Sequence, residues 1–260
     1  MNKKVALCLH GLVGNLEKHG KGAVIPYKLV YDSYIQNLYD KSIEIDVFIH
    51  SWSIDLEDEI KLLYNPKSSI FEKQKLFVDE KIIGIKEFSV TSRFYSLMVS
   101  NSLKIEHEKN KGFVYDYVLM GRFDVLLNKK IDFRKINNKY FYLPSPTNPH
   151  GSSCQCDFCD RHGNHPQMND LIFLSSSRNM NIFSSLYSNL NEYGRETGHT
   201  VVASHMRKTG LIDIAADYFK QIPPKYPNLW TKIGMNANIY CETDTPLVRR
   251  SAMGLHLKIV

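Results

Sequence analysis

The sequence predicts one α/β domain in which a largely parallel sheet is covered by helices on both faces. Short apolar runs typical of buried strands alternate with segments whose apolar residues have helical spacing. Of the 260 residues, 43% are hydrophobic, which is enough for a sizeable core. Because strands that alternate with helices favour βα units, we expect a Rossmann-type α/β/α sandwich with a mixed edge.

The first half of the chain supplies the beginning of this alternation. Compact apolar runs predict strands, and acidic or amphipathic segments between them predict helices. We expect strands at residues 3–10, 43–49 and 81–88, and helices at residues 23–39 and 55–64.

The second half continues the pattern around a loop-like insertion. We expect a long helix at 92–109, a central strand at 115–120, short strands at 140–143 and 171–174, and helices at 180–193 and 201–208. Residues 144–169 are rich in Gly, Pro, Asn and Ser and predict an inserted loop. Residues 223–260 predict an irregular carboxyl-terminal tail, so the whole of 1–260 forms a single domain.

Charge and hydropathy narrow the class of partner. The 33 Lys and Arg residues outnumber the 27 Asp and Glu residues, and the net charge of +6 suits an anionic ligand such as a nucleoside diphosphate. The basic residues are scattered, so we do not expect nucleic-acid binding. No apolar run is long enough to span a bilayer, and residues 1–11 lack a signal-peptide pattern. We therefore expect a cytoplasmic protein.

Polar residues follow three of the predicted strands and are the first candidates for a site. In open α/β sheets, ligands bind outside the carboxyl ends of the strands. His10 and His50 follow the first two strands, and Arg122 and Asp124 follow the central one. Asp124 is suited to a divalent cation that neutralises a diphosphate, and Arg122 to a phosphate or to orienting Asp124. The alternative is an ordinary salt bridge at a strand end.

Five motifs occur in an order that carries a resemblance. They are His10-Gly11, DVFIHSW at 46–52, SRFYSL at 92–97, YDYVLMGRFDVLL at 115–127 and NDLIFLSSSRNM at 169–180. This series resembles a family of GT-A-type glycosyltransferases found in surface-polysaccharide gene clusters and in some large viruses and phages. The resemblance extends from the first strand to about Tyr193, roughly three quarters of the chain.

The resemblance implies a reaction and two carboxylate roles. A sugar would pass from a nucleoside-diphosphate sugar to a carbohydrate acceptor, as in polysaccharide biosynthesis. Asp124 would be the carboxylate for the donor or for Mg²⁺ or Mn²⁺, and Asp170 would lie near the reacting sugar. In an inverting enzyme, Asp170 would be the candidate base. The chain departs from the usual Asp-x-Asp, because Arg122-Phe123-Asp124 stands there.

Further residues are candidates for donor binding. A glycine-rich turn after the first strand lets backbone N–H groups approach a base or phosphate, and its members are His10, Gly11, Gly14 and Asn15. The same letters are typical of the oxyanion turn of α/β-hydrolases, but the chain lacks a Gly-x-Ser-x-Gly elbow. A simple tight turn is the other interpretation.

Aromatic, cationic and imidazole side chains complete this list. Trp52 offers a stacking face or is a core-edge residue, and Arg93 at the start of the long helix is placed to reach a phosphate. For the acceptor side, the candidates are Glu196, His199, His205 and His256.

A cluster of thiols and imidazoles occupies the inserted loop. This Cys/His segment contains Cys154, Cys156, Cys159, His162 and His165. Zinc takes four Cys or His ligands in tetrahedral geometry, so the segment predicts a structural zinc site. The alternative is a loop with incidental thiols. A second hypothesis for function follows, namely a zinc-stabilised carbohydrate-binding or nucleic-acid-binding protein without catalysis.

Overall fold

A computed structural model gives the structure of most of the amino-terminal three quarters of the chain. The described residues are 2–14, 24–75, 77, 85–127, 130–143, 171–193, 198–215, 249–251 and 254–256.

The centre of the fold is a five-stranded sheet in the order β3-β2-β1-β4-β5. Its strands are β1 (Lys3–Gly11), β2 (Ile43–Ser51), β3 (Ser68–Phe71), β4 (Tyr117–Arg122) and β5 (Phe173–Ser175). The first four are parallel, and β5 pairs antiparallel with β4. The predicted largely parallel sheet with a mixed edge is therefore confirmed.

Helices connect these strands. They are α1 (Tyr27–Leu38), α2 (Glu57–Tyr64), α3 (Ile85–Lys111), α4 (Ser177–Ser184) and α5 (Gly198–Lys208). Short 3-10 turns lie at Ile54–Leu56, Tyr187–Glu192 and Leu211–Ile214. No helix among the described residues is long and apolar enough to cross a membrane.

Strand β1 lies in the middle of the core because both of its faces are covered. Val5, Ala6, Leu7, Cys8 and Leu9 are all at most 1% exposed, as expected for a central parallel strand. A Cβ added to Gly121 of β4 would meet the hydroxyl of Tyr34, so α1 packs on that face. The opposite face is covered by α3, whose Phe94 and Leu97 are buried.

The order of the strands produces a reversal next to β1. From β1 the chain adds β2 and then β3 on one side, and α3 then carries it back to β4 on the other side. The carboxyl ends of β1 and β4 therefore flank a topological switch point, which is where open α/β sheets bind ligands.

A buried cationic network fastens α3 to α4. Lys104 is fully buried. Its ammonium group donates to Glu108 Oε2 at 3.1 Å, to Ser177 Oγ at 2.5 Å and to Asn181 Oδ1 at 2.7 Å. Three acceptors satisfy the three N–H groups of the lysine, which is what a charge needs when it is removed from water.

Several predicted elements are wrong. Residues 85–88, predicted as strand, form the first turn of α3, and residues 81–84 lie outside the described part; short apolar runs suit either structure. The predicted strand at 140–143 contributes only isolated bridges. The predicted helix at 180–193 divides into α4 and a 3-10 turn.

The sequence also failed to predict two strand pairs. Strand β3 has only four residues and no alternating pattern, which is why it was missed. Within the tail predicted to be irregular, Arg249–Ser251 (β6) and Gly254–His256 (β7) pair as an antiparallel hairpin. The remainder of residues 223–260 lies outside the described part of the chain.

Candidate functional site

Three polar residues form a row across the carboxyl ends of adjacent strands. His10 of β1 is in register with His50 of β2 on one side and with Arg122 of β4 on the other. Residues in register share a face of a sheet, and successive residues alternate between faces. Because Gly121 faces α1, the row faces α3. Three of the predicted strand-end candidates thus form the row at the switch point, and the fourth, Asp124, lies two residues after Arg122.

Helix α3 supplies a serine that links β1 and β2. Ser96 Oγ accepts the N–H of Gly11 at 2.9 Å and lies 2.6 Å from His50 Nδ1. On its other side, His50 Nε2 lies 3.1 Å from Oε1 of Glu72, which follows β3. Neither Ser96 nor Glu72 was predicted from the sequence. Glu72 could have been found by the strand-end rule, had β3 been recognised.

One arrangement of protons satisfies this whole chain of groups. Gly11 N–H donates to Ser96, the Ser96 hydroxyl donates to His50 Nδ1, and His50 Nε2–H donates to the Glu72 carboxylate. It requires a neutral imidazole. Burial lowers the pKa of His50, although Glu72 opposes that effect. Ser96 and Glu72 therefore hold the His50 ring in one orientation.

His10 has a different environment. Its side chain is 1% exposed, and neither ring nitrogen has a hydrogen-bond partner among the described residues. Burial places the pKa of His10 well below its usual value, and the guanidinium groups of Arg122 and Arg93, followed by His50, lower it further. Burial and the two guanidinium charges therefore favour the neutral form of the His10 imidazole.

Arg122 and Asp124 form a two-pronged ion pair. Arg122 Nε donates to Asp124 Oδ1 at 2.7 Å, and Nη2 donates to Oδ2. The two side chains are 21% and 19% exposed. The carbonyl oxygen of Arg122 accepts the hydroxyl of Tyr34 at 3.3 Å, which ties the strand end to α1. Arg122 thus orients Asp124, as the sequence suggested, and the pair also fits the interpretation of a salt bridge at a strand end.

Serine hydroxyl oxygens accept hydrogen bonds from backbone N–H groups at the end of β1 and in the turn after it. Ser53 Oγ accepts Val13 N–H at 2.8 Å and Gly14 N–H at 3.0 Å. A Cβ on Gly14 would lie 2.5 Å from the Cα of Val24, so only glycine fits there. These N–H groups therefore position the turn, and none of the three bonded ones is directed at a phosphate.

Trp52 packs against protein side chains. Its ring lies edge-on to His50 at 4.7 Å and stacks on Tyr95 at 5.5 Å between centroids. The ring is 5% exposed, and Nε1 has no hydrogen-bond partner among the described residues. This arrangement matches the core-edge interpretation of Trp52, in which the residue supports His50.

The remaining candidates are distributed as follows. Arg93 lies inside α3, which begins at Ile85, so the prediction that Arg93 opens the helix is wrong. His205 is buried, with its ring nitrogens at Tyr193 Oη and the Ile182 carbonyl oxygen, so it is a structural residue. The following candidates lie outside the described residues: Asn15, Cys154, Cys156, Cys159, His162, His165, Asp170 and Glu196. The side chains of His199 and His256 also lie outside the described part.

The described ranges contain no group of three or more Cys, His, Asp or Glu side chains suited to a metal ion. Among the described residues, Asp124 is the strand-end carboxylate that pairs with Arg122, and its oxygens already accept the guanidinium. Asp124 alone is therefore not sufficient to bind a divalent cation through protein ligands only. Mg²⁺ usually takes one or two carboxylates together with substrate phosphates.

The sheet and its polar row define an α/β protein with a polar site at a topological switch point. No protein-family model matches the chain. A search of curated proteins finds no match either.

Proposed function

We propose that this protein is a glycosyltransferase that moves a sugar from a nucleoside-diphosphate sugar to a carbohydrate acceptor. The observation that carries the proposal is the row of His50, His10 and Arg122 at the switch point between β1 and β4. The GT-A type of the fold and a cytoplasmic location are part of the proposal. It is supported by the site and by the resemblance of the ordered motifs.

Charge is the main reason to place a diphosphate at this row. Arg122 ends β4, and Arg93 lies three residues before Ser96, which contacts Gly11 and His50 at the ends of β1 and β2. Both guanidinium groups lower the pKa of the buried His10 ring. Guanidinium groups bind phosphate oxygens in a fork geometry. They would stabilise the negative charge that develops on a departing nucleoside diphosphate.

Asp124 and Asp170 complete the proposed chemistry. In the proposal, Asp124 holds Arg122 in place and takes a Mg²⁺ or Mn²⁺ ion that arrives with the diphosphate. The cation would add Lewis-acid neutralisation of the leaving group. Asp170 would remove the proton from the acceptor hydroxyl in an inverting reaction, and the Cys/His segment would carry a structural zinc ion.

Thermal shift with UDP, GDP, ADP and CDP, each with and without Mn²⁺, tests donor binding. A ligand at about 100 times its Kd stabilises the native state by about 2.7 kcal/mol. For a chain of this size, that corresponds to roughly 5–10 °C in Tm. Assays of donor hydrolysis in the same samples then separate an enzyme from a binding protein.

Two arginine variants make the test specific. Arg122→Gln removes one of the two proposed site cations, whereas Arg134→Gln removes an exposed cation that pairs with Asp132 through the same two-pronged geometry. We expect the nucleotide shift to disappear in Arg122→Gln and to persist in Arg134→Gln. If no nucleoside diphosphate stabilises the wild-type protein, the glycosyltransferase proposal is wrong and the zinc-stabilised binding protein becomes the better hypothesis.

A further inference from the structure

The buried ring of His10 is a polar group at the switch point for which the described residues supply no hydrogen-bond partner. Buried polar atoms in native proteins almost always have partners, and leaving one unpaired is costly. Both ring nitrogens of His10 lack a partner among the described residues, although the ring is 1% exposed. An apolar side chain would stabilise the end of β1 better. The histidine therefore indicates a group that is present only when the site is occupied.

The charged groups around the ring determine which kind of group that is. From β4 it is faced by Arg122, which also holds Asp124, and from α3 by Arg93. From β2 it is faced by His50, whose other neighbour is Glu72. Within β1 and the described turn, the residues next to His10 are uncharged. The charges that act most directly on the ring are those of the two guanidinium groups, which favours an anionic ligand.

We propose that His10 contacts the ligand directly, and that an anion of the phosphate class bound beside Arg93 and Arg122 brings a proton from solvent onto the His10 ring. The proton adds to a ring nitrogen, and the resulting N–H donates to a phosphate oxygen. No bond in the ligand forms or breaks in this step. The diphosphate identity of the anion rests on the proposed function.

The ring would take up a proton because the bound anion offsets the positive charges beside it. Without it, burial first and the two guanidinium groups second hold the pKa of the ring well below its usual value. A diphosphate offsets both cations and offers an acceptor to the ring, and hydrogen bonds between two charged groups are the strongest kind in proteins. Binding and protonation are then linked, so each favours the other. Affinity should rise as the pH falls from about 8 to about 6.

Isothermal titration calorimetry measures this linkage directly. Pyrophosphate and UDP are titrated near pH 7 into the full chain, in two buffers with different ionisation enthalpies. For the wild-type protein, we expect net uptake of a fraction of one proton per site. His10→Gln keeps polar atoms at the position but cannot titrate there, so we expect the uptake to vanish and the affinity to fall by about tenfold or more.

A matched control is provided by His107, another histidine of this chain. It lies on α3 within an aromatic cluster with Phe48, Phe113 and Tyr115. His107→Gln should bind pyrophosphate with the same proton uptake as the wild type. If His10→Gln does not fold, nitrogen NMR of histidine-labelled wild-type protein replaces it. One ring should change from neutral to imidazolium when pyrophosphate is added.

The outcomes separate this inference from the proposed function. Binding of pyrophosphate or UDP without proton uptake, or with uptake that survives in His10→Gln, overturns the role of His10 and leaves a diphosphate site intact. Binding of pyrophosphate with uptake but no binding of any nucleoside diphosphate supports His10 and overturns the glycosyltransferase proposal. If neither ligand binds, both are wrong.

Discussion

Replacing Ser53 by alanine should destabilise the protein by a predictable amount. The hydroxyl oxygen of Ser53 accepts the N–H groups of Val13 and Gly14 at 2.8 and 3.0 Å, and Ser53 is 1% exposed. In Ser53→Ala, two buried donors lose their acceptor. A buried unsatisfied donor costs about 1–3 kcal/mol, and since one oxygen serves both N–H groups, we expect a total loss of about 2–4 kcal/mol.

Urea unfolding followed by circular dichroism gives the measurement. With a denaturant slope of about 3 kcal/mol/M for a chain of this size, the unfolding midpoint should fall by roughly 1 M. Hydrogen exchange should locate the effect, because the amides of Val13 and Gly14 lose their protection in Ser53→Ala.

The control is Ser102→Ala on the exposed side of α3. The Ser102 hydroxyl donates to the carbonyl oxygen of Met98 within the same helix, and alanine is a better helix former. We expect a change within about 0.5 kcal/mol. A Ser53→Ala midpoint indistinguishable from that of Ser102→Ala would show that the serine does not hold the turn after β1.

Four further predictions concern activity, metal content and pH. Asp124→Ala should abolish donor hydrolysis at a stability cost of about 1–3 kcal/mol, since the two-pronged pair with Arg122 is mostly buried; full activity would remove Asp124 from the site. Asp170→Asn should lower kcat more than donor affinity, and an unchanged kcat would exclude a role as base. Protein prepared without a His tag should contain about one equivalent of zinc, lost on acidification; metal-free, fully active protein would contradict this. His10, His50 and His205 have pKa values below the ordinary 6.5, so the unfolded state binds more protons below that pH. Stability should fall as the pH drops from about 7.5 to 5.5, and a flat profile would contradict this.

The parts of the fold that the sequence predicted best are those in which local pattern and burial agree. Strands β1 and β4 contain continuous apolar runs, and β2 contains one at Val47, Phe48 and Ile49, because helices cover both faces of the sheet. Their predicted bounds are within two residues of the observed ones. Strand β3 has no such pattern, and α3 begins in a stretch whose apolar run suited a strand equally well.

The residues of the site likewise include some that the sequence predicted and some that it did not. The strand-end rule found His10, His50 and Arg122, because parallel strands bring their carboxyl ends to one edge. Ser53 and Ser96 were missed, because serines that bind backbone N–H groups across the fold have no signature in a single sequence. Ser96 binds Gly11, which lies 85 residues away along the chain, and Ser53 binds Gly14, which lies 39 residues away.

The buried lysine of α3 has a mechanical consequence for the site. Lys104 lies eight residues after Ser96, about 12 Å along the helix axis. If α3 slid lengthwise, the ammonium group would be pulled away from its acceptors on α4, at the cost of an uncompensated buried charge. The Lys104 contacts with α4 therefore fix the position of the part of α3 that lines the site. Any opening or closing around a ligand therefore involves the segments that face this helix. Substitutions that break the contacts of Lys104 should displace Ser96 and His50 before they affect the rest of the sheet.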